Sequence, residues 1–599
     1  MIYHCEDHTC NYWDEGEKLP ERCPQCGRKL LRANEADMTG DDWTALGNTL
    51  WDAEASDKKR MVDCFRKAAY LGSAWGVCNL GICMEQGNGV EADPVQAFWL
   101  YQQAVEMGSL NAVCCLGVCY QYGIGTAPDA KQAAELYCKA AEYGSPRGQM
   151  LLARAFHDGI GVEADAAEAV HWVRAAAYQR YGEGMHRLGV CYEYGDGVEQ
   201  NWERAVHWFR EAAESGVSVA MTDLGYCYEK GCGVEQSWEQ AFSWYRRGAE
   251  CGDPVSMCNL GYCYEKGCGV EQNWQEAIKW YEQGAQCGDL QSMHNLACCY
   301  EGGEGVEQNE DRAFYWYRRS AEGGNGSAMC NLGRCYKRGY GVEQNWQEAV
   351  KWYEQGAQCG NLQSMHNLAC CYERGEGVEQ NMTEAIRWYT AAAEGGNADD
   401  MYELGWQYDH GEGVEQDMKK AICWYERAAE QNHPAAMNSL GECYAMGRGV
   451  PRDLETAMEW YRRAAELGEA MADYNMGWHL EQAGKLSEAY AHYRKAADGN
   501  DDSAWWALGR FYENGVVVAQ DGKEARRCYE TGEKLGSVKC KMRLARCKLL
   551  GIGGRREKKA GLDLCRQALE LAKESSEKED YGYEAEMNLL RRTIAENES

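Results

Sequence analysis

A leucine followed by a small residue returns at Leu80-Gly81, Leu116-Gly117, Leu152-Ala153 and Leu188-Gly189, a spacing of 36 residues. The beat runs through Leu224, Leu260, Leu296, Leu332, Leu368, Leu404 and Leu440 to Met476. It slips by four residues at Leu508 and returns at Leu544; an earlier pair, Leu46-Gly47, precedes the run. A fixed period of this length constrains the fold more than any local pattern. Each unit is one supersecondary element that cannot bury its apolar face alone, so the units must stack into a single growing core.

Residues 218–252 show what the unit is. Ala220, Leu224, Cys227 and Tyr228 lie on one face of a helix, and Gly231-Cys232-Gly233 ends it, because glycine tolerates the left-handed backbone of a helix terminus. Ser237 caps a second helix whose apolar residues Ala241, Trp244, Tyr245 and Ala249 again recur at helical spacing. Sister units place Asn273, Asn345 and Asn381 three residues before Glu276, Glu348 and Glu384, the pattern of a capping box. Few prolines, 8 in all, suit a chain that is mostly helix. The expectation is an all-α fold, a solenoid of αα-hairpins with about 14–15 units.

These residues closely resemble the Sel-1-like repeat family, a relative of the tetratricopeptide repeats. The resemblance rests on the Leu-Gly pair, the aromatic three residues after the Gly or its equivalent (Tyr228, Tyr264, Tyr300, Tyr336), the Gly-x-Gly-Val loop, and the second-helix element Ala349, Trp352, Tyr353, Gly356 and Ala357. It implies a right-handed superhelix and a role as a scaffold or adaptor in protein assemblies. Residues 481–499 depart from the pattern by losing the Gly-x-Gly-Val loop and look closer to a tetratricopeptide unit. Residues 269–309 and 341–381 are near copies, which a stack held by nearest-neighbour contacts tolerates.

The 32 cysteines do not read as a disulfide framework. Ten of them (Cys83, Cys119, Cys191, Cys227, Cys263, Cys299, Cys335, Cys371, Cys443 and Cys547) stand three residues after the core Leu, where a small buried hydrophobe is needed. The opening MIYHCEDHTC has no basic and no apolar signal region, so a reducing, cytoplasmic setting is expected. A net charge of −32 disfavours nucleic acid and anionic membranes, and no stretch is apolar enough to span a bilayer.

Before the array, Cys5 and Cys10 are followed by Cys23-Pro-Gln-Cys26-Gly27. The second pair is the turn of a zinc knuckle, and together the four thiolates suit one structural zinc ion with no open position. A small zinc ribbon is expected at 1–34, the repeat array at 35–556 and capping helices at 557–599. Such a head has too few residues for a core, and structural zinc can supply an apparent ~10–16 kcal/mol.

Positions two before and two after the core Leu face the concave groove in related arrays. Here they are His186, His294, His366 and Tyr402 on one side, and Tyr226, Tyr262, Arg334, Trp406 and Trp478 on the other. Aromatic and Arg residues are what a binding hot spot uses, although several could equally pack between neighbouring units. Loop residues Glu199, Glu235, Glu271, Glu307, Glu343, Glu379 and Glu415 should align as an acidic edge, and the basic stretch Lys534 to Lys559 could meet an acidic partner.

A non-enzymatic scaffold holding a partner protein or peptide in the groove is the preferred reading. Two others compete. Some cysteine-rich members of the family were named as β-lactamase-like or penicillin-binding proteins, but those carry an export signal and a disulfide per unit, and this sequence has no Ser-x-x-Lys, Gly-x-Ser-x-Gly or P-loop. Nucleic-acid contact through the ribbon would draw on Lys18, Arg22, Arg28, Lys29 and Arg32.

Overall fold

The computed structural model describes residues 2–5, 13–15, 30–32, 35, 38–51, 55–578 and 584–598. Its contacts divide the chain into two compact units, residues 1–309 and 310–599.

The first unit opens with three short strands, β1 (Ile2–Cys5), β2 (Trp13–Glu15) and β3 (Leu30–Arg32), paired antiparallel in the order β2-β1-β3 with Tyr3 opposite both Asp14 and Arg32. Cys10, Cys23 and Cys26 lie outside the described residues. Helical hairpins follow, beginning with Gly40–Thr49 and Ala55–Tyr70 and ending at Leu290–Gly302. The second unit continues in the same manner from Glu310–Glu322 to Val538–Leu550, closed by Lys558–Lys578 and Glu584–Glu598. The last helix packs on both of the two before it.

The recurring Leu-Gly pair has a direct packing cause. A methyl group built at Gly225 would fall 2.6 Å from Cε1 of Tyr245, and the same ring faces Gly261 as Tyr281 and Gly333 as Tyr353. Glycine there lets the two helices of a hairpin close over a fully buried tyrosine. Alanine stands in place of the glycine at Ala153, where the second helix carries the smaller Val173, and also at Ala369, which shares a core cluster with the buried Tyr389. The tyrosine hydroxyl reaches back to the carboxylate sixteen residues earlier: Tyr245 donates to Glu229 at 2.8 Å, Tyr281 to Glu265 at 2.7 Å and Tyr529 to Glu513 at 2.8 Å. A buried hydroxyl needs such a partner, and the repeat supplies it in register.

The Gly-x-Gly loop uses its two glycines differently. Gly231 takes φ of 74° as the left-handed cap of Ser218–Lys230, while Gly233 (φ 70°) lies against the carbonyl of Trp202, where a side chain would collide with the preceding hairpin. The following Gln then donates to the carbonyl of a residue in the last turn of the first helix, as Gln236 to Glu229 at 2.7 Å and Gln272 to Glu265 at 2.8 Å. That satisfies one of the carbonyls a helix end leaves open.

Asn273, Asn345 and Asn381 cap their helices, each accepting from the backbone amide three residues on. The reciprocal half expected of a capping box is replaced. The cap amides donate instead to the carbonyls of Tyr264, Tyr336 and Tyr372 in the preceding helix, which leaves Glu276 to pair with Lys279 and Glu384 with Arg387. A complete box occurs at Thr39 and Asp42. The shortened unit at 470–498 joins its helices through Gly484, and Lys485 caps without a side-chain bond.

All ten cysteines in phase with the core Leu are buried, and the cysteines from Cys64 to Cys565 are free thiols. Burial pushes Cys83, Cys191, Cys371 and Cys443 up to about 11, and Cys119, Cys227, Cys263, Cys299 and Cys547 up to about 12.

Candidate functional site

Within each unit the two sides of the stack differ in tightness. First helices of successive hairpins touch: Ala74–Gln86 meets Leu110–Tyr122, which meets Pro146–Asp158, and Gly326–Arg338 meets Leu362–Arg374. Second helices of successive hairpins make no comparable contact. The first helices therefore form the more closely packed side of the stack, and the residues two before and two after the core Leu stand on these helices.

The structure divides the expected groove residues into two groups. Some are engaged between neighbouring hairpins. His186 Nε2 lies 2.7 Å from Asp223 of the next first helix, and His366 Nδ1 lies 2.7 Å from Asp400. Tyr402 stacks on His433 with ring centres 4.9 Å apart. Others are open. Tyr226 and Tyr262 occupy one register in consecutive hairpins and are 44% and 41% exposed, and Trp478 is 38% exposed. Trp406 is half-buried and stacks on His410 at 4.4 Å, one turn along its own helix. Arg334 and His294 are half-buried, the latter with Cys298 Sγ 3.7 Å from its Nε2.

Two residues the register could have flagged were missed. Cys370 stands two after Leu368, in the same register as Tyr226, with its Sγ 3.6 Å from His366 Nε2. Asp400 stands four before Leu404, where other units carry Ala220, Ser256, Ser292, Ala328, Ser364 and Ala436. It is the carboxylate in a column of small buried residues, and it is fully buried itself.

A cavity of about 350 Å³ lies in the first unit, lined by Arg154, His157, Asp158, Glu183, Arg187 and Asp196 among others. Its charges are mutually paired. His157 bridges Asp158 at 2.7 Å and Asp196 at 3.2 Å, Arg154 lies 3.6 Å from Asp158, and Arg187 lies 3.9 Å from Asp196.

The loop glutamates Glu199, Glu235, Glu271, Glu307, Glu343, Glu379 and Glu415 are all exposed, each just ahead of a second helix. Three arginines of the basic stretch near the C-terminus are engaged within the fold. Arg543 pairs with Glu513 at 3.3 Å and with Glu586 at 2.7 Å, Arg546 also pairs with Glu513, and Arg556 donates to Asn597 at 2.6 Å. Stacking brings acids from the preceding hairpin and the last helix onto these arginines, so they are not a free surface for an acidic partner.

A family model described as Sel1 repeat matches fourteen successive segments, from 76–109 through 254–289 to 538–573. The chain belongs to the Sel1 repeat family. Among solved structures, this Sel1 repeat chain is 32% identical to c5321, a protective antigen present in uropathogenic Escherichia coli strains and displaying an SLR fold. That match covers 75% of this chain and 97% of the other, with a TM-score of 0.51. A Sel1 repeat protein from Oxalobacter formigenes is 33% identical over 41% of this chain and 96% of its own, with a TM-score of 0.38. No curated protein matches the sequence. Sel1 repeat arrays typically serve as protein-interaction scaffolds, and nothing in these comparisons points to an enzyme of the β-lactamase-like type. Among the described residues, no helix is long and apolar enough to cross a membrane, and no group of His, Cys, Asp and Glu is arranged to hold a metal ion.

Proposed function

We propose that this Sel1 repeat protein is a docking scaffold whose inner, first-helix side holds a segment of a partner protein. The observation that carries the reading is the pair Tyr226 and Tyr262, exposed aromatic rings in one register on consecutive first helices. An exposed aromatic ring offers apolar area and a polar tip at low entropic cost, and here two recur at the spacing of the stack. The acidic balance of the chain, −32, favours a partner segment carrying Lys or Arg, which the field would also steer toward the surface. In the second unit Arg334, Trp406 and Trp478 stand in the register that Tyr226 and Tyr262 hold in the first, and His186 and His294 in the first unit and His366 and Tyr402 in the second stand two residues before the core Leu or its equivalent. Crosslinking affinity purification from the source cell with the intact chain, and with Tyr226→Ala/Tyr262→Ala, tests the idea. A partner crosslinked at the first helices and lost from the variant supports it; an equal yield from both moves the site elsewhere.

For the head of the chain, the reading is one structural zinc ion held by Cys5, Cys10, Cys23 and Cys26. The antiparallel sheet β2-β1-β3, with Cys5 ending β1, supplies a frame suited to such a site, and the Cys-Pro-Gln-Cys-Gly sequence supplies the knuckle. Four thiolates would close the coordination sphere and leave the ion a structural part, one that stiffens the segment ahead of the first hairpin. A reducing, cytoplasmic setting suits these thiolates and the unpaired thiols of the array alike.

A further inference from the structure

We infer that Cys370 is a nucleophilic thiolate, activated by His366 and Asp400, which a hydroperoxide oxidises to a sulfenic acid. The inference rests on three side chains held in series by two adjacent hairpins, and it does not depend on the docking reading.

Cys370 and His366 are four residues apart on Leu362–Arg374, so helical geometry puts them on one face. His366 Nε2 lies 3.6 Å from Cys370 Sγ, and its other nitrogen, Nδ1, lies 2.7 Å from Asp400 Oδ1. Asp400 sits in the first turn of Ala398–His410 and is wholly buried; its Oδ1 meets the imidazole, and its Oδ2 has no hydrogen-bond partner in the structure. A buried carboxylate with an open oxygen is costly unless a cation stands beside it. The imidazolium form of His366 is that cation. It also puts both ring protons to use, one toward the carboxylate and one toward the sulfur. This is the arrangement of a nucleophile, a base and an orienting acid.

The remaining groups agree with the ion pair. Tyr389 OH lies 3.4 Å from the sulfur but gives its proton to Glu373 at 2.7 Å, which leaves His366 as the donor to Cys370. The Asp400 bond first, and then Cys370, push His366 up to about 10. Burial opposes the thiolate, and the bond from His366 with the charges of His366 and Arg374 works against it, bringing Cys370 below the usual thiol range. Burial pushes Asp400 and Glu403 up, with His366 working against that in both, and the nearby Asp399 and Glu373 add negative charge that His366 offsets. The groups lie in a chain and do not converge on a point as metal ligands would.

Cys370 is half-buried, so part of its side chain faces solvent. In the reaction the thiolate attacks one peroxide oxygen, forming an S–O bond as the O–O bond breaks. Sulfur is oxidised by two electrons, the peroxide is reduced, and the proton on His366 Nε2 passes to the departing hydroxide to give water. The near copy of this segment supplies an internal contrast. Cys298 has its own histidine, His294, but the position corresponding to Asp400 is Ala328.

The test treats the full chain with a pulse of hydrogen peroxide at pH 6.5, traps sulfenic acid with dimedone, and reads each cysteine by peptide mass spectrometry. Cys370 is expected to label at least tenfold faster than Cys298 and the exposed thiols Cys251, Cys287, Cys359 and Cys423. His366→Gln and Asp400→Asn should each bring it down to their level while the helical signal is unchanged. Iodoacetamide alkylation gives a second readout: the Cys370 rate should rise less steeply from pH 6 to 8 than that of the exposed thiols, and the difference should vanish in His366→Gln, a change that loss of packing alone would not produce. Labelling of Cys370 no faster than that of the exposed thiols, or equal labelling in His366→Gln, overturns the proposal.

Discussion

Gly225 and Tyr245 put the packing account of the repeat under the most direct strain. A methyl at Gly225 would lie 2.6, 2.7 and 3.1 Å from three atoms of the Tyr245 ring, whereas carbon atoms rest at about 3.5–4.0 Å. The ring cannot swing away freely, because it is fully buried and tied to Glu229 at 2.8 Å. Overpacking of this kind costs about 1–3 kcal/mol, against a helix-propensity gain of about 1 kcal/mol for alanine over glycine. Gly225→Ala alone should therefore be neutral to mildly destabilising. The informative quantity is the coupling with Tyr245→Val, a pairing the chain itself uses at Ala153 and Val173. The valine alone should cost about 2–4 kcal/mol through its cavity and the lost hydroxyl bond. The double variant should recover about 1–3 kcal/mol relative to the sum, since the methyl then fills space and meets no ring. Urea unfolding of the full chain, with hydrogen exchange read on peptides from 218–252, measures each corner of the cycle. Additivity within about 0.5 kcal/mol would refute the claim that Gly225 makes room for the Tyr245 ring.

Raised thiols make the array sensitive to alkali. A thiol held near 11 or 12 in the fold keeps its proton more tightly than in the unfolded chain, at about 8.5, so stability is intact below that value and falls as pH climbs through 11 to 12; circular dichroism should show helix loss over that window, reduced in Cys227→Ala/Cys263→Ala. Gln272→Ala removes the 2.8 Å bond to the Glu265 carbonyl and should cost about 0.5–1.5 kcal/mol, seen as faster hydrogen exchange in the last turn of Pro254–Lys266. Trp406→Ala and Arg334→Ala should each weaken partner binding by about 1–3 kcal/mol with the helical signal retained, measured by titration calorimetry once the partner is in hand. Cys26→Ser should lower bound zinc from one ion per chain to none by elemental mass spectrometry, while the array melts as before; an unchanged zinc content removes the metal from the account.

Much of the hairpin was legible because its causes are local. The positions of Leu224 and Tyr228 fix a helical face, Gly231 stops the helix, and Ser237 starts the next, and the structure places these residues in those roles. The cysteines in phase with the leucine are buried for the same reason: a residue three after a core position shares its face. The roles of Gln236 and Gln272 were hidden because a loop glutamine with no periodic apolar partner gives no sign of which carbonyl it will reach. The capping glutamates were half-read, since a sequence can suggest that Glu276 folds back but cannot reveal that the amide it would meet is already taken by Tyr264.

What the sequence determined by itself was therefore the unit: its length, its two helices, and which residues each helix turns inward. The tertiary structure decided what passes between units. Whether Arg543 stands free or between Glu513 and Glu586, and whether Asp400 is an oddity in a column of small residues or the partner of His366, depends on how far one hairpin is rotated against the next. That rotation arises from the packing of whole helix faces, and no single residue carries it.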